Sequence, residues 1–143
     1  MIHYFAYGSN MDETQMCQRC SAGATIIGKT KLPNHRFIIN SRGVATVTPQ
    51  PKSEVHGIVW EITNACEKSL DDCEGVKYGT YTKEMMPVEI ANKSTSALVY
   101  IAKDNTHGSA RSGYMEMIIA AAEKHRFPDK YIEELKTWLK KKS

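Results

Sequence analysis

The chain has no long apolar run. Its longest is Ala97-Leu-Val-Tyr-Ile-Ala102, six residues where a membrane-spanning helix needs about twenty, so no membrane partner is expected. A dominant charge is missing too: 19 basic residues against 16 acidic ones leave +3. That is far from the basic stripe of a nucleic-acid binder, so no nucleic-acid partner is expected either. The opening Met1-Ile-His-Tyr-Phe-Ala-Tyr7 has neither a basic leader nor an apolar signal core. Its lack argues against export and for a cytoplasmic protein. Internal repeats, low-complexity tracts and composition breaks are also absent. With 143 residues, 41% of them hydrophobic, the sequence is sized for a single domain, 1–143, with a packed core.

Cysteine is sparse. Cys17 and Cys20 form one C-x-x-C pair, and Cys66 and Cys73 lie seven apart. This is not the two-knuckle spacing of a structural zinc site, so the reading is no metal. In a cytoplasmic chain the four should be reduced thiols, packed as small hydrophobes along the helices that carry them. The five histidines (His3, His35, His56, His107 and His125) show no i, i+4 pairing of a helical metal site.

What the sequence does hold is a succession of short alternating or β-branched runs. They predict strands at residues 2–7, 24–29, 36–40, 44–48, 55–62, 81–90 and 97–103, with a polar loop at Pro49-Gln-Pro-Lys-Ser53. Helical periodicity predicts helices at 11–20, 64–74, 113–125 and 128–141. In the third, Met115, Ile118, Ile119 and Ala122 share one face, and in the fourth Tyr131, Leu135, Trp138 and Leu139 do. Pro128 suits a first turn, and the lysine run at 140–142 suits a helix C-terminus. Asn64, three residues before Glu67, reads as a capping-box start for the second helix, which Gly75 would end in a left-handed conformation. Strands interleaved with helices in this order make the class α+β, with an antiparallel or mixed sheet.

Two places could carry chemistry. Tyr7-Gly8-Ser9-Asn10 lies between the first strand and the first helix, a junction where backbone N–H groups can face an anion or a carbonyl oxygen. The same tetrapeptide reads equally as a plain turn with an N-cap. A nucleophilic Ser9 is disfavoured, because the context is not G-x-S-x-G and no histidine stands out as its base. Glu74 closes the second helix beside Leu70, Cys73 and Gly75, so partial burial would tune it for proton transfer; the alternative is a solvated helix-end glutamate, as Asp71 and Asp72 read.

Taken together and in this order, those segments resemble the γ-glutamylcyclotransferase family, also described as AIG2-like or BtrG-like proteins. The resemblance runs through Tyr4-Phe-Ala-Tyr-Gly-Ser-Asn-Met11, Gly43-Val-Ala-Thr-Val47, Glu54-Val-His-Gly-Ile-Val-Trp60 and Ser69-Leu-Asp-Asp-Cys-Glu-Gly-Val76, followed by Gly79 and Tyr81. It implies a small mixed or antiparallel barrel-like sheet with flanking helices. It also implies a cyclising, amine-releasing enzyme of lyase or acyltransferase type that forms 5-oxoproline from a small γ-glutamyl substrate without a cofactor. On the same grounds Glu74 would be the catalytic acid/base, and Tyr4, Phe5, Ala6, Tyr7, Gly8, Ser9, Asn10, Tyr81 and Tyr114 would bind substrate. The resemblance admits a homodimer, a state on which these residues are neutral. Its alternative is a module of the same fold that binds γ-glutamyl or amino-acid ligands, or another protein, without turnover. The stretch from Phe37 to Gly43 is short for larger members, and the chain ends soon after Trp138. Both features bear on which amine leaves rather than on the acid/base group.

Overall fold

The computed structural model describes residues 2–20 and 23–139. Along the chain run β1 (Ile2–Ala6), a 3-10 turn (Ser9–Met11), α1 (Glu13–Arg19), β2 (Ala24–Ile39), β3 (Ala45–Ile62) and α2 (Asn64–Glu74). A second 3-10 turn (Val76–Tyr78) follows, then β4 (Tyr81–Ile90), β5 (Lys93–Ala102), α3 (Tyr114–Lys124) and α4 (Asp129–Lys136). One mixed sheet takes the order β2-β3-β1-β5-β4. Three consecutive buried residues, Tyr4, Phe5 and Ala6, mark β1 as a strand covered on both faces. It pairs antiparallel with β3 and parallel with β5. The class and the flanking helices are those expected, but the sheet is not a closed barrel. Its outer strands β2 and β4 meet through a side chain, Thr30 Oγ1 donating to the Glu89 carbonyl at 2.5 Å.

Two expected breaks in the sheet are absent. The segments 24–29 and 36–40 are one strand, as are 44–48 and 55–62, and Pro49-Gln-Pro-Lys-Ser53 lies within β3 rather than in a separate loop. The ladder explains how a strand tolerates Pro51 inside it. Pairing steps from Pro33↔Glu54 to His35↔Pro49, so Asn34 alone faces residues 50–53, which hold no place in the register. Proline is accommodated at such a bulge because no ladder donor is needed. Asn34 and Lys52 both take left-handed φ, 59° and 69°, and the Lys52 N–H donates to Asn34 Oδ1 across the bulge.

The helices follow their apolar faces. In α3, Met115, Ile118, Ile119 and Ala122 are buried, and α4 buries Tyr131, Ile132 and Leu135. Leu139 is exposed, because α4 ends at Lys136, earlier than expected; the lysine run at 140–142 lies outside the described residues. The cap of α2 sits one residue earlier than its box suggested: Thr63, not Asn64, accepts from the Cys66 N–H at 3.1 Å. Glu67 turns instead to Lys83 of β4. Gly75 stops α2 at φ 68°, as its position implied.

The cysteines depart from expectation. Cys20, at the end of α1, and Cys66, in the first turn of α2, form a disulfide with Cα atoms 4.8 Å apart. Packing of the two helices brings their Cβ atoms within bonding reach, which neither Cys spacing in the sequence reveals. Cys17 and Cys73 are free but exposed, not buried hydrophobes.

One glycine is required by close approach. A Cβ on Gly57 would lie 2.5 Å from the Ala6 carbonyl oxygen and 2.6 Å from Phe5 Cζ. Both are in β1, which is pinned between β3 and β5 and cannot retreat. Gly57→Ala should therefore cost about 2–3 kcal/mol. A thermal melt should show this as a drop of roughly 5–10 °C; an unchanged midpoint would mean that β1 yields freely.

Candidate active site

The residues after β1 turn sharply before α1 begins, and this turn forms one wall of a cavity of about 410 Å³. That volume suits a small molecule. Gly8 allows the turn to press against the opposite wall: its Cβ position lies 3.3 Å from Ala45 Cβ and 3.5 Å from the Tyr114 hydroxyl. Asn10 anchors the turn from below. The Trp60 indole N–H donates to its carbonyl at 3.1 Å, and Asn10 Nδ2 donates to the Tyr4 hydroxyl at 2.8 Å.

Glu74 enters from the last turn of α2, where the Gly75 stop leaves its side chain aimed at this turn instead of at solvent. Its side chain is 15% exposed. Asn10 Nδ2 lies 3.5 Å from Glu74 Oε2, and Arg19 Nη1 lies 3.6 Å from the same oxygen. Arg19 also donates to Asn10 Oδ1 at 3.2 Å, and Gln15 Nε2 donates to Asn10 Oδ1 at 3.0 Å and to Ser9 Oγ at 2.6 Å. Burial pushes the Glu74 carboxyl above the usual carboxylate range, while the Arg19 charge and the Asn10 hydrogen bond pull it part of the way back. The result is a carboxyl group able to exist in either protonation state nearer neutrality than a surface glutamate, the property an acid/base group needs.

The remaining lining is phenolic. Tyr7 donates to the Tyr100 carbonyl at 2.6 Å, Tyr81 donates to the Ala45 carbonyl at 2.8 Å, and the Tyr114 hydroxyl accepts from the Ala45 N–H at 2.9 Å. Burial raises the pKa of all three, and of Tyr4, so they remain neutral hydroxyls in the cavity. Two of these bonds converge on Ala45, at the start of β3, which is held between Tyr81 and Tyr114.

Of the ten residues singled out from the sequence, eight line this cavity: Tyr4, Tyr7, Gly8, Ser9, Asn10, Glu74, Tyr81 and Tyr114. Phe5 and Ala6 do not. They lie within β1, Phe5 against Gly57 and Ala6 paired with Ile58. Ser9 has Gln15, not a histidine, on its hydroxyl. The sequence reading missed Gln15 and Arg19, although their spacing of four places both on the face of α1 that follows the turn. It also missed Arg42 and Arg111, which reach the cavity from two loops. Among the described residues no group of three or more His, Cys, Asp or Glu side chains could hold a metal ion, and no helix is long and apolar enough to cross a membrane.

Residues 54–135 match the AIG2-like family. The chain is 29% identical to a γ-glutamylcyclotransferase of Mus musculus over 143 residues, covering 93% of this chain and 76% of that protein. It is 29% identical to the Homo sapiens γ-glutamylcyclotransferase over 146 residues, with the same coverage. A solved structure of a γ-glutamyl cyclotransferase superposes with a TM-score of 0.89 at 26% identity, over 99% of this chain and 90% of that one.

Proposed function

The chain belongs to the AIG2-like family, and on that premise we propose that it is a γ-glutamylcyclotransferase, converting a γ-glutamyl compound to 5-oxoproline and a free amine. The observation that carries this reading is the sequestered Glu74 carboxyl, held by Arg19 and Asn10 in the same cavity as the Tyr7–Asn10 turn. In the reaction the Glu74 carboxylate takes a proton from the substrate α-ammonium. The freed amine attacks the γ-carbonyl carbon, and the new C–N bond closes a five-membered ring. When the tetrahedral intermediate collapses, the original amide C–N bond breaks and the Glu74 carboxylic acid gives its proton to the departing nitrogen; the regenerated carboxylate then takes the second proton from the ring nitrogen and passes it to the released amine, leaving a neutral lactam and an ammonium. One carboxyl group thus serves both steps. Nucleophile and electrophile arrive on one molecule, so the cavity contributes chiefly by holding a near-attack geometry. The Tyr4 and Tyr114 hydroxyls, which accept from Asn10 and the Ala45 N–H and keep their own protons, and the turn's N–H groups are the donors available to the developing oxyanion, where one donor is typically worth about 10²–10³ in rate.

The test is incubation of the protein with several γ-glutamyl amino acids and γ-glutamylamines, with 5-oxoproline followed by mass spectrometry. Product from at least one is expected. Binding without product from any would replace the enzyme by a non-catalytic ligand-binding module.

A further inference from the structure

The cysteines take no part in the chemistry above, yet three of them lead in order from solvent to the core. Cys17, the first of the C-x-x-C pair, is a free and exposed thiol on α1. Cys20, three residues later, ends that helix 3% exposed and is bridged to Cys66, which is wholly buried in the first turn of α2. A thiol in solution therefore lacks a direct path to either bridged sulfur, and exchange requires a thiolate to reach one of them. Cys17 has such a path. Residues i and i+3 of a helix are neighbours, with Cβ atoms about 5–6 Å apart. Cys20 also stands where α1 ends, at φ −125° and ψ 60°, with its N–H still held by the Met16 carbonyl. Its side chain can swing toward Cys17 without unwinding the turn before it. Cys73, the other free thiol, sits seven residues beyond Cys66 on α2. At the rise of a helix that is about 10 Å, out of reach of the bridge.

We infer that Cys17 is the exchange site through which a small thiol and its disulfide break and make the Cys20–Cys66 bridge. In the breaking direction the Cys17 thiolate attacks Cys20 Sγ. A Cys17–Cys20 bond forms, the Cys20–Cys66 bond breaks, and Cys66 leaves as a thiolate that takes up the proton Cys17 gave up. This step is an isomerisation and consumes no reductant; it moves the bridge from between two helices to within one. The new disulfide presents the exposed sulfur of Cys17. An external thiolate attacks that sulfur and releases Cys20 as a thiol. A second attacks the external sulfur of the mixed disulfide, frees Cys17 and departs as the external disulfide. Two external thiols are thus oxidised as one protein disulfide is reduced, and the same path run backwards closes the bridge. The bridge joins the helices that carry Arg19 and Glu74, so the thiol balance of the surroundings, read at one exposed residue, fastens or releases α1 and α2.

The test follows reduction of the folded protein by 2-mercaptoethanol, with samples quenched by an alkylating agent and digested with trypsin. Cleavage after Arg19 parts Cys17 from Cys20, so the two bridges yield different linked peptides. Cys17→Ser should slow loss of the Cys20–Cys66 bridge by about tenfold or more, because an intramolecular thiol is replaced by direct attack on a buried bond. Cys17→Ala should do the same, and Cys73→Ser should leave the rate unchanged. In Cys66→Ser, 2-hydroxyethyl disulfide should produce the Cys17–Cys20 link. The same reagent should restore the Cys20–Cys66 bridge to reduced wild type, and do so slowly in the Cys17 variants. Oxidised Cys17→Ser should melt with oxidised wild type; if it melts higher, a tighter fold accounts for the slower reduction and the inference falls. A Cys17→Ser rate equal to wild type overturns it, as does a Cys66→Ser protein that never forms the Cys17–Cys20 link. So does a wild-type chain that holds no Cys20–Cys66 bridge even after treatment with the disulfide.

Discussion

Replacing Glu74 by Gln should abolish most turnover while leaving the fold and ligand binding in place. The amide fills the same space and can still accept from Asn10 Nδ2, but it cannot carry a proton from the α-ammonium to the leaving nitrogen. No other carboxylate stands in for it: Asp72, the second acid of the cavity, lies on the exposed side of α2. Loss of a positioned acid/base group typically costs about 10²–10⁴ in rate, and kcat should fall by that amount with KM little changed. The same substitution has a predictable effect on stability, of opposite sign. Burial holds the Glu74 carboxyl above its unfolded pKa despite Arg19 and Asn10. Its favourable contribution to folding is therefore full below the unfolded carboxylate pKa and is lost as pH rises through the raised folded value. At neutral pH Glu74→Gln should thus melt at or slightly above the wild-type temperature, and the gap should close on acidification. In wild type, kcat/KM should fall on the acid side at a pH above the usual carboxylate range. A variant that keeps near wild-type rates would remove Glu74 from the mechanism. One that is slow and also melts much lower would make its role structural.

How much of this was legible in advance varied with how local the cause is. Glu74 was, because its placement follows from three adjacent features: a helix with a side-chain cap, a left-handed glycine immediately after it, and Leu70 one turn earlier pointing into the core. The Tyr7–Asn10 turn was legible for the same reason, a strand, a glycine and a helix start in succession. Phe5 and Ala6 were carried along only because they share the motif; inside β1, strand pairing and the Gly57 contact claim them. The Pro49–Ser53 stretch pointed to a loop because proline ends most strands, and only the cross-strand register shows that Pro49 pairs with His35 and that a bulge takes up residues 50–53. Arg42 and Arg111 were out of reach. They are 69 positions apart and meet directly, Arg111 Nε donating to the Arg42 carbonyl in a loop that buried Asn40 ties to Asp104, contacts that no periodicity encodes. The mixed sheet with flanking helices was legible, but that it stays open was not: whether the edges β2 and β4 pair depends on the accumulated twist of five strands, not on the pattern within any one.

The covalent link between α1 and α2 should produce the reverse dissociation. A Cys20→Ser/Cys66→Ser variant, or wild type held in reductant, should lose substantial stability and keep most of its activity at moderate temperature. The bridge spans 46 residues, and chain entropy assigns a loop of that size about 4 kcal/mol. For a protein of this length that is a fall of roughly 10 °C in melting temperature. Activity should be spared because Arg19, the residue before Cys20, is held in the site independently by Asn10 Oδ1 at 3.2 Å, and Glu74 lies two turns of α2 beyond Cys66, fixed by its own helix and by Asn10. α2 also remains tied to the sheet, through the Tyr100 hydroxyl, which donates to Asp71 at 2.7 Å, and through Lys83. Thiol titration of the unreduced, denatured protein should find two free cysteines, Cys17 and Cys73, and four after reduction. Four thiols before reduction, with a melting temperature indifferent to reductant, would show that the pair is not bridged in solution. A reduced protein that melts lower and also loses its rate at 25 °C would mean that the bridge, rather than Asn10, sets the position of Arg19 against Glu74.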